Sequence, residues 1–212
     1  MTIEEIIETR QINELLHFTT LTGLLGVLGC RKILSRPRVK SEELIEEIAE
    51  FNTPKVMDHG WEDFINISIS RINVNLFNIS FNKWHKDNKW VILGISPEIM
   101  SHNGVYFATT NNGYTGVSRN VGPEGLEALF APKVTIYNNG QSVSRTSAHS
   151  INYTTCPQAE VLYPKELSSE FIANIYCMCE EDTDDISGFI AGTLHTDIIK
   201  VVSPNKFKGL EG

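Results

Sequence analysis

Asn152-Tyr153-Thr154-Thr155-Cys156-Pro157-Gln158-Ala159-Glu160-Val161-Leu162-Tyr163 decides how this chain is read. Pro157 has no N–H to give to a strand ladder, which suits the first position or an edge of a sheet. Val161, Leu162 and Tyr163 favour a pleated, buried segment. The pattern predicts a strand that begins near Glu160 and sets this carboxylate at the rim of a sheet, where α/β proteins keep ligand clefts. A carboxylate held there accepts two hydroxyl hydrogen bonds, or steadies positive charge forming on a sugar. Taken alone, Glu160 reads equally as an ordinary polar residue at a strand end.

Working outward, Trp90 to Ile95 is a continuous apolar run and predicts a central strand. Phe64 to Ser70 alternates at strand period: Ile65, Ile67 and Ile69 share one face, Asn66, Ser68 and Ser70 the other, and Arg71 follows. Val105–Ala108, Phe171–Cys179 and Ile198–Val202 read as further strands, and Leu15–Thr20 as a short strand-like element. Thr2 and Glu5 form a capping-box pattern, and the apolar spacing that follows predicts a helix ending before His17. Leu21–Leu28 is a compact helix stopped by Gly29, Ser41 caps a helix over Glu42–Glu50, and Pro123 opens another through Phe130. Asn138 to Tyr153 is polar throughout and reads as a loop. Helices early and strands later predict an α+β fold, a mixed sheet flanked by short helices, with residues 1–212 forming a single domain.

The chain has 212 residues, 41% of them hydrophobic and 21% charged, which is globular rather than disordered composition. No apolar run spans a membrane, and the acidic start Met1-Thr2-Ile3-Glu4-Glu5 lacks the pattern of a secretion signal, so the expected location is cytoplasmic and no membrane partner is expected. The four cysteines show no metal spacing; reduced thiols and no metal site are expected. A net charge of −8 argues against non-specific coating of nucleic acid, yet Arg31 to Lys40 holds five cations and no anion. That run, Arg36 and Arg38 included, reads as a surface loop balancing the acidic helix after it, or as a contact for a nucleic-acid backbone. Trp84, His85 and Trp90 read as core or hairpin residues, or as stacking platforms for bases. No GxGxxG, Walker loop, HExxH or nucleophile motif occurs.

Several stretches fall into a recognisable order: Leu16-His17-Phe18-Thr19 with a short helix and Gly29; Phe64 to Arg71; Trp90 to Pro97; Gly104 to Ala108 with Asn111-Asn112; and Thr154-x-x-Pro157-Gln158-Ala159-Glu160-Val161-Leu162. In these the chain resembles the DarT-type ADP-ribosyltransferases, bacterial toxins that attach ADP-ribose from NAD to nucleic-acid bases. The resemblance implies an ADP-ribosyltransferase-like split sheet with NAD as co-substrate. It implies Glu160 as the catalytic carboxylate, and His17 with Thr19 as the pair anchoring the adenosine side of NAD. Arg71 is the first choice for the arginine that steadies the NAD phosphates or orients nicotinamide, with Arg36 and Arg38 competing; the family arginine expected upstream has no match between Asn52 and Phe64. Ser68 is expected to line the NAD cleft, and Arg36 and Arg38 to touch the nucleic-acid backbone. The implied partners are single-stranded nucleic acid, DNA or RNA, and a cognate antitoxin. Competing readings are a protein-directed transferase or NAD hydrolase of the same fold, and a non-enzymatic partner-binding protein.

Overall fold

The computed structural model describes residues 1–39, 60–84 and 86–210; the helix expected over 42–50, and His85, lie outside them. Thr2 and Glu5 close the capping box that starts helix α1 (Ile3–Thr9). The helix stops earlier than the apolar spacing implied, because Gln11 adopts left-handed backbone (φ 53°) and Leu15–Thr20 extends as strand β1. Thr20 then caps α2 (Leu21–Cys30), its hydroxyl accepting from the Gly23 N–H at 3.0 Å. The basic run is not a loop. Lys32–Leu34 (β2) pairs antiparallel with Glu166–Ser168 (β10), and Arg36–Val39 makes one helical turn, α3.

Phe64–Ile69 forms β3, Val74–Ile79 forms α4, and Trp90–Ile95 forms β4. Every residue of β4 is buried, because β1 pairs along one edge and β11 (Ile172–Cys177) along the other. Its continuous apolar run is therefore that of a strand covered on both faces, as in parallel sheets, although its own pairings are antiparallel. Trp90 belongs to this core, its ring 5.8 Å from Phe18 and 5.6 Å from Phe77. Beyond β4 come β5 (Tyr106–Ala108), β6 (Arg119–Asn120), α5 (Gly122–Ala128), β9 (Glu160–Pro164), α6 (Asp182–Thr193) and β12 (Ile199–Val202). The segment expected as a polar loop contains part of a small hairpin, β7 (Lys133–Thr135) against β8 (Ser142–Ser144), whose single deeply buried side chain is Val134. One apolar anchor among polar neighbours left no strand period to read.

The main sheet has eight strands in the order β12-β11-β4-β1-β3-β9-β5-β6, parallel only at β11–β12, where α6 makes the crossover. Helices α1, α2, α5 and α6 cover one face over Leu15, Ile67, Ile69, Leu93 and Val161. A smaller apolar cluster of Leu16, Ile72, Phe77, Trp90, Ile92 and Phe207 covers half of the other. The remaining half of that face carries Asn66, Ser68 and Glu160 beside Phe64, Leu162 and Tyr106. Among the described residues no helix is long and apolar enough to cross a membrane.

Candidate active site

The sheet is nearly cut in two at its centre. β1 runs beside β4 for six rungs, Leu15↔Ile95 to Thr20↔Trp90, but pairs with β3 only at Leu15↔Ile69 and Leu16↔Ser68. His17 sits where the two strands part. Its Nδ1 lies 3.0 Å from the Asn66 carbonyl oxygen, so a side chain replaces the ladder bond that ends there. A carbonyl only accepts, so Nδ1 carries the proton and the neutral ring offers Nε2 as an acceptor. Closely packed protein atoms push the His17 pKa below its ordinary value, and the Asn66 bond opposes this only in part. A ring in this state takes a hydrogen bond from a hydroxyl; it does not donate one to a phosphate.

By alternation His17 and Thr19 belong to the face of Leu15, and Thr19 leans on the first turn of α2. A Cβ placed on Gly23 would stand 2.2 Å from Thr19 Oγ1, so glycine is what admits that hydroxyl. Glu160 lies one strand beyond β3, and on the opposite face of the sheet from His17 and Thr19. It is the first residue of β9 and pairs with Ala108 of β5, on the face of Leu162 and Asn66. Ser68 and Ser70 lie on this same face, both buried.

Glu160 is not at an open rim; it is 3% exposed. The Asn112 N–H donates to Glu160 Oε2 at 2.7 Å. Asn112 is held in turn by Arg119, whose guanidinium donates to both the side-chain and the main-chain oxygen of Asn112 and stacks 4.9 Å from the Trp61 ring centre. The approach to Glu160 is fixed by hydroxyls: Thr154 Oγ1 donates to the Cys156 carbonyl at 2.7 Å and Thr155 Oγ1 to that of Ala131 at 2.6 Å. These bonds make the carboxylate a rigid fixture and not a mobile surface acid.

Arg71 stands at the edge of this polar face. Ser70 before it adopts φ 59°, left-handed backbone that a serine seldom takes, and the Arg71 N–H donates to the Ile69 carbonyl at 2.7 Å. The turn lays the Arg71 guanidinium over the Tyr153 ring, 4.5 Å from its centre. Arg145 supports that ring by donating to the Tyr153 and Ser150 carbonyls. Burial lowers the pKa of Arg71, and burial followed by the nearby Arg10 and Arg71 lowers that of Arg145. Cations are thus gathered here without an ion pair to Arg71 among the described residues. Four buried polar atoms of these residues and their neighbours find no hydrogen-bond partner: Ser70 Oγ, Arg71 Nε, Asn112 Nδ2 and Gln158 Oε1. Buried polar groups are normally satisfied, so these four can take partners that the protein itself does not supply.

Arg36 and Arg38 lie apart, in α3. Arg38 donates Nε and Nη2 to the two oxygens of Asp63, at 2.9 and 3.1 Å, and Ser35 Oγ donates to Asp63 as well. Half-exposed, this fork commits most of Arg38 to the protein itself; Arg36 is also half-exposed. The four cysteines are free thiols, and among the described residues no three His, Cys, Asp or Glu side chains gather as a metal site. Arg119, Trp61, Arg145 and Tyr153 carried no functional signal in the sequence, and Asn112 carried none beyond its place in a motif.

The family profile described as "ssDNA thymidine ADP-ribosyltransferase, DarT" matches residues 16–207. No curated protein matches the chain. Among solved structures, Thermus sp. 2.9 DarT in complex with carba-NAD+ superposes with a TM-score of 0.63 at 11% identity, over 92% of this chain and 98% of that one. The same protein in complex with ADP-ribosylated ssDNA gives 0.60 at 12%, over 92% and 96%. Thermosipho africanus DarTG in complex with ADP-ribose gives 0.59 at 14%; it is matched over 92% of this chain, which spans 51% of its length.

Proposed function

Because the chain belongs to the DarT family of ssDNA thymidine ADP-ribosyltransferases, we propose that it transfers ADP-ribose from NAD to thymidine in single-stranded DNA, with Glu160 as the catalytic carboxylate. The observation that carries this assignment of residues is Glu160 itself. It is a buried carboxylate pinned by the Asn112 N–H at the start of β9, and polar atoms that lack partners, Asn112 Nδ2 and Gln158 Oε1, belong to its neighbours.

The bond between the nicotinamide nitrogen and ribose C1′ breaks, nicotinamide leaving with the electron pair and C1′ taking on oxocarbenium character. An acceptor atom of the thymine then attacks C1′ and gives up its proton. Glu160 serves both stages: its charge favours the cation, and it is the base within reach of the proton. His17 accepts from a hydroxyl of the adenosine ribose through Nε2, with Thr19 beside it. Arg71 offers its planar fork to the NAD phosphates or to nicotinamide; in the second role it is catalytic, because it orients the leaving group. Ser68 lines the cleft. Arg36 and Arg38 belong at the DNA backbone, Arg38 while also bound to Asp63.

Residues 1–212 work as one ADP-ribosyltransferase unit in the cytoplasm, opposed by a cognate antitoxin; family likeness supports these parts of the reading. Labelled NAD supplied with thymidine-containing single-stranded DNA and, separately, with mRNA tests the function. Label on DNA thymidine, found by nucleoside mass spectrometry and lost by about 100-fold or more in Glu160→Gln, is expected. Transfer to mRNA alone, or undiminished transfer by Glu160→Gln, overturns it.

A further inference from the structure

The turn that delivers Arg71 also walls a cavity of 210 Å³. Arg71, Asn73, Asn75, Gln158, Lys208 and Gly209 are among its lining residues, and no carboxylate is. Resting on the reading of the chain as an NAD-consuming DarT enzyme, we propose that this cavity is a phosphate subsite, in which Arg71 and Lys208 together hold one phosphate group of a substrate.

Three observations support the site. First, its charge runs against the rest of the molecule: the chain carries a net −8, yet two cations and no anion line this hollow. Neither cation makes an ion pair among the described residues, and Arg71 Nε is buried without an acceptor. An anion supplies what is missing. Second, the hollow is built. Gly209 has φ +70°, and a Cβ there would stand 2.6 Å from Val74 Cγ2. Only glycine lets the Lys208-Gly209 segment close on the turn after β3 and bring Lys208 to its mouth. Third, its size suits part of a ligand. Pockets that enclose a whole small molecule run to about 300–1,000 Å³, so this one takes a single group. Gln158 Oε1, also without a partner, gives the lining an acceptor for a neighbouring hydroxyl or base N–H.

The phosphate comes either from the NAD pyrophosphate or from the DNA strand, and one variant separates these. Lys208 is exposed, so Lys208→Ala and Lys208→Glu keep the parental melting temperature. Inorganic pyrophosphate is titrated into the full chain while the amide resonances of Asn73, Asn75 and Gly209 are followed. Shifts in the parent that weaken about tenfold in Lys208→Ala are expected. Steady-state KM values for NAD and for a thymidine-containing oligonucleotide then name the source. A rise in the NAD value alone assigns the pyrophosphate. A rise in the oligonucleotide value alone, with a salt slope reduced by about 0.7, assigns the strand. No shift with pyrophosphate in the parent, or equal shifts in Lys208→Ala, overturns the subsite. A parent that binds pyrophosphate here but modifies no DNA instead overturns the function proposed above.

Discussion

The backbone N–H of Asn112 reaches Glu160 Oε2 at 2.7 Å only because Arg119 holds Asn112 by both of its oxygens. The carboxylate is therefore aimed from two residues away, by a guanidinium resting on Trp61. Arg119 acts here as a positioning residue.

Replacing Arg119 by methionine keeps much of its length and removes the fork. Misplacement on the order of 1 Å costs about 100-fold, so kcat should fall by that order while KM for NAD stays within about threefold. Arg119→Lys, a point charge that cannot grip two oxygens at once, should recover part of the loss. Parallel steady-state measurements on both variants check this, and an equal fall in melting temperature and kcat with no lysine rescue would assign Arg119 to the fold alone.

His17 sets a pH dependence whose sign follows from its depressed pKa. The unfolded imidazole takes its proton near 6.5, the folded one only at lower pH. The folded state thus binds fewer protons in that window, so stability is full above 6.5 and is lost as pH falls through the folded value. NAD affinity should fall over the same range, since a protonated Nε2 has no lone pair for a hydroxyl. Melting temperatures and NAD titrations from pH 7.5 to 5, with His17→Gln alongside, give the comparison. The variant should lose less stability on acidification than the parent; superimposable curves refute the assignment.

Ser70 holds left-handed backbone without being glycine, at a cost of about 1–2 kcal/mol. Ser70→Gly keeps this geometry and should retain transfer near the parental rate. Ser70→Val, β-branched and intolerant of positive φ, should destabilise by about 1–3 kcal/mol and raise KM for NAD as Arg71 swings off Tyr153. Urea denaturation and initial rates decide. If glycine harms as much as valine, the Ser70 hydroxyl and not the backbone is what matters.

What could be read in advance was whatever one segment states by itself. The six-residue apolar run of β4 and the alternation of β3 name their own environments, and Pro157 ahead of Val161 marked where β9 begins. The family motifs carried the rest of the site. Arg119 was silent because its partners, Trp61 and Asn112, come together only after β5 pairs with β6 on one side and β9 on the other. The Arg38–Asp63 pair was silent for a related reason: it joins residues 25 positions apart, and no local pattern announces that contact. The early end of α1 depends on a left-handed Gln11, a conformation its side chain does not advertise. The orphaned atoms that mark the cleft are properties of packing, and no local pattern encodes them.

The two-rung contact between β1 and β3 is as short as the pairing of β6 at the sheet's edge, but it lies in the middle of the sheet. On one side stand β12, β11, β4 and β1; on the other β3, β9, β5 and β6. The halves meet at Leu15 and Leu16 like the leaves of a book at its spine, and a guest entering past the His17–Asn66 bond meets no further ladder rung. Such a guest gains grip from both leaves at once, so occupancy should slow amide exchange in both halves together, far beyond the residues it touches.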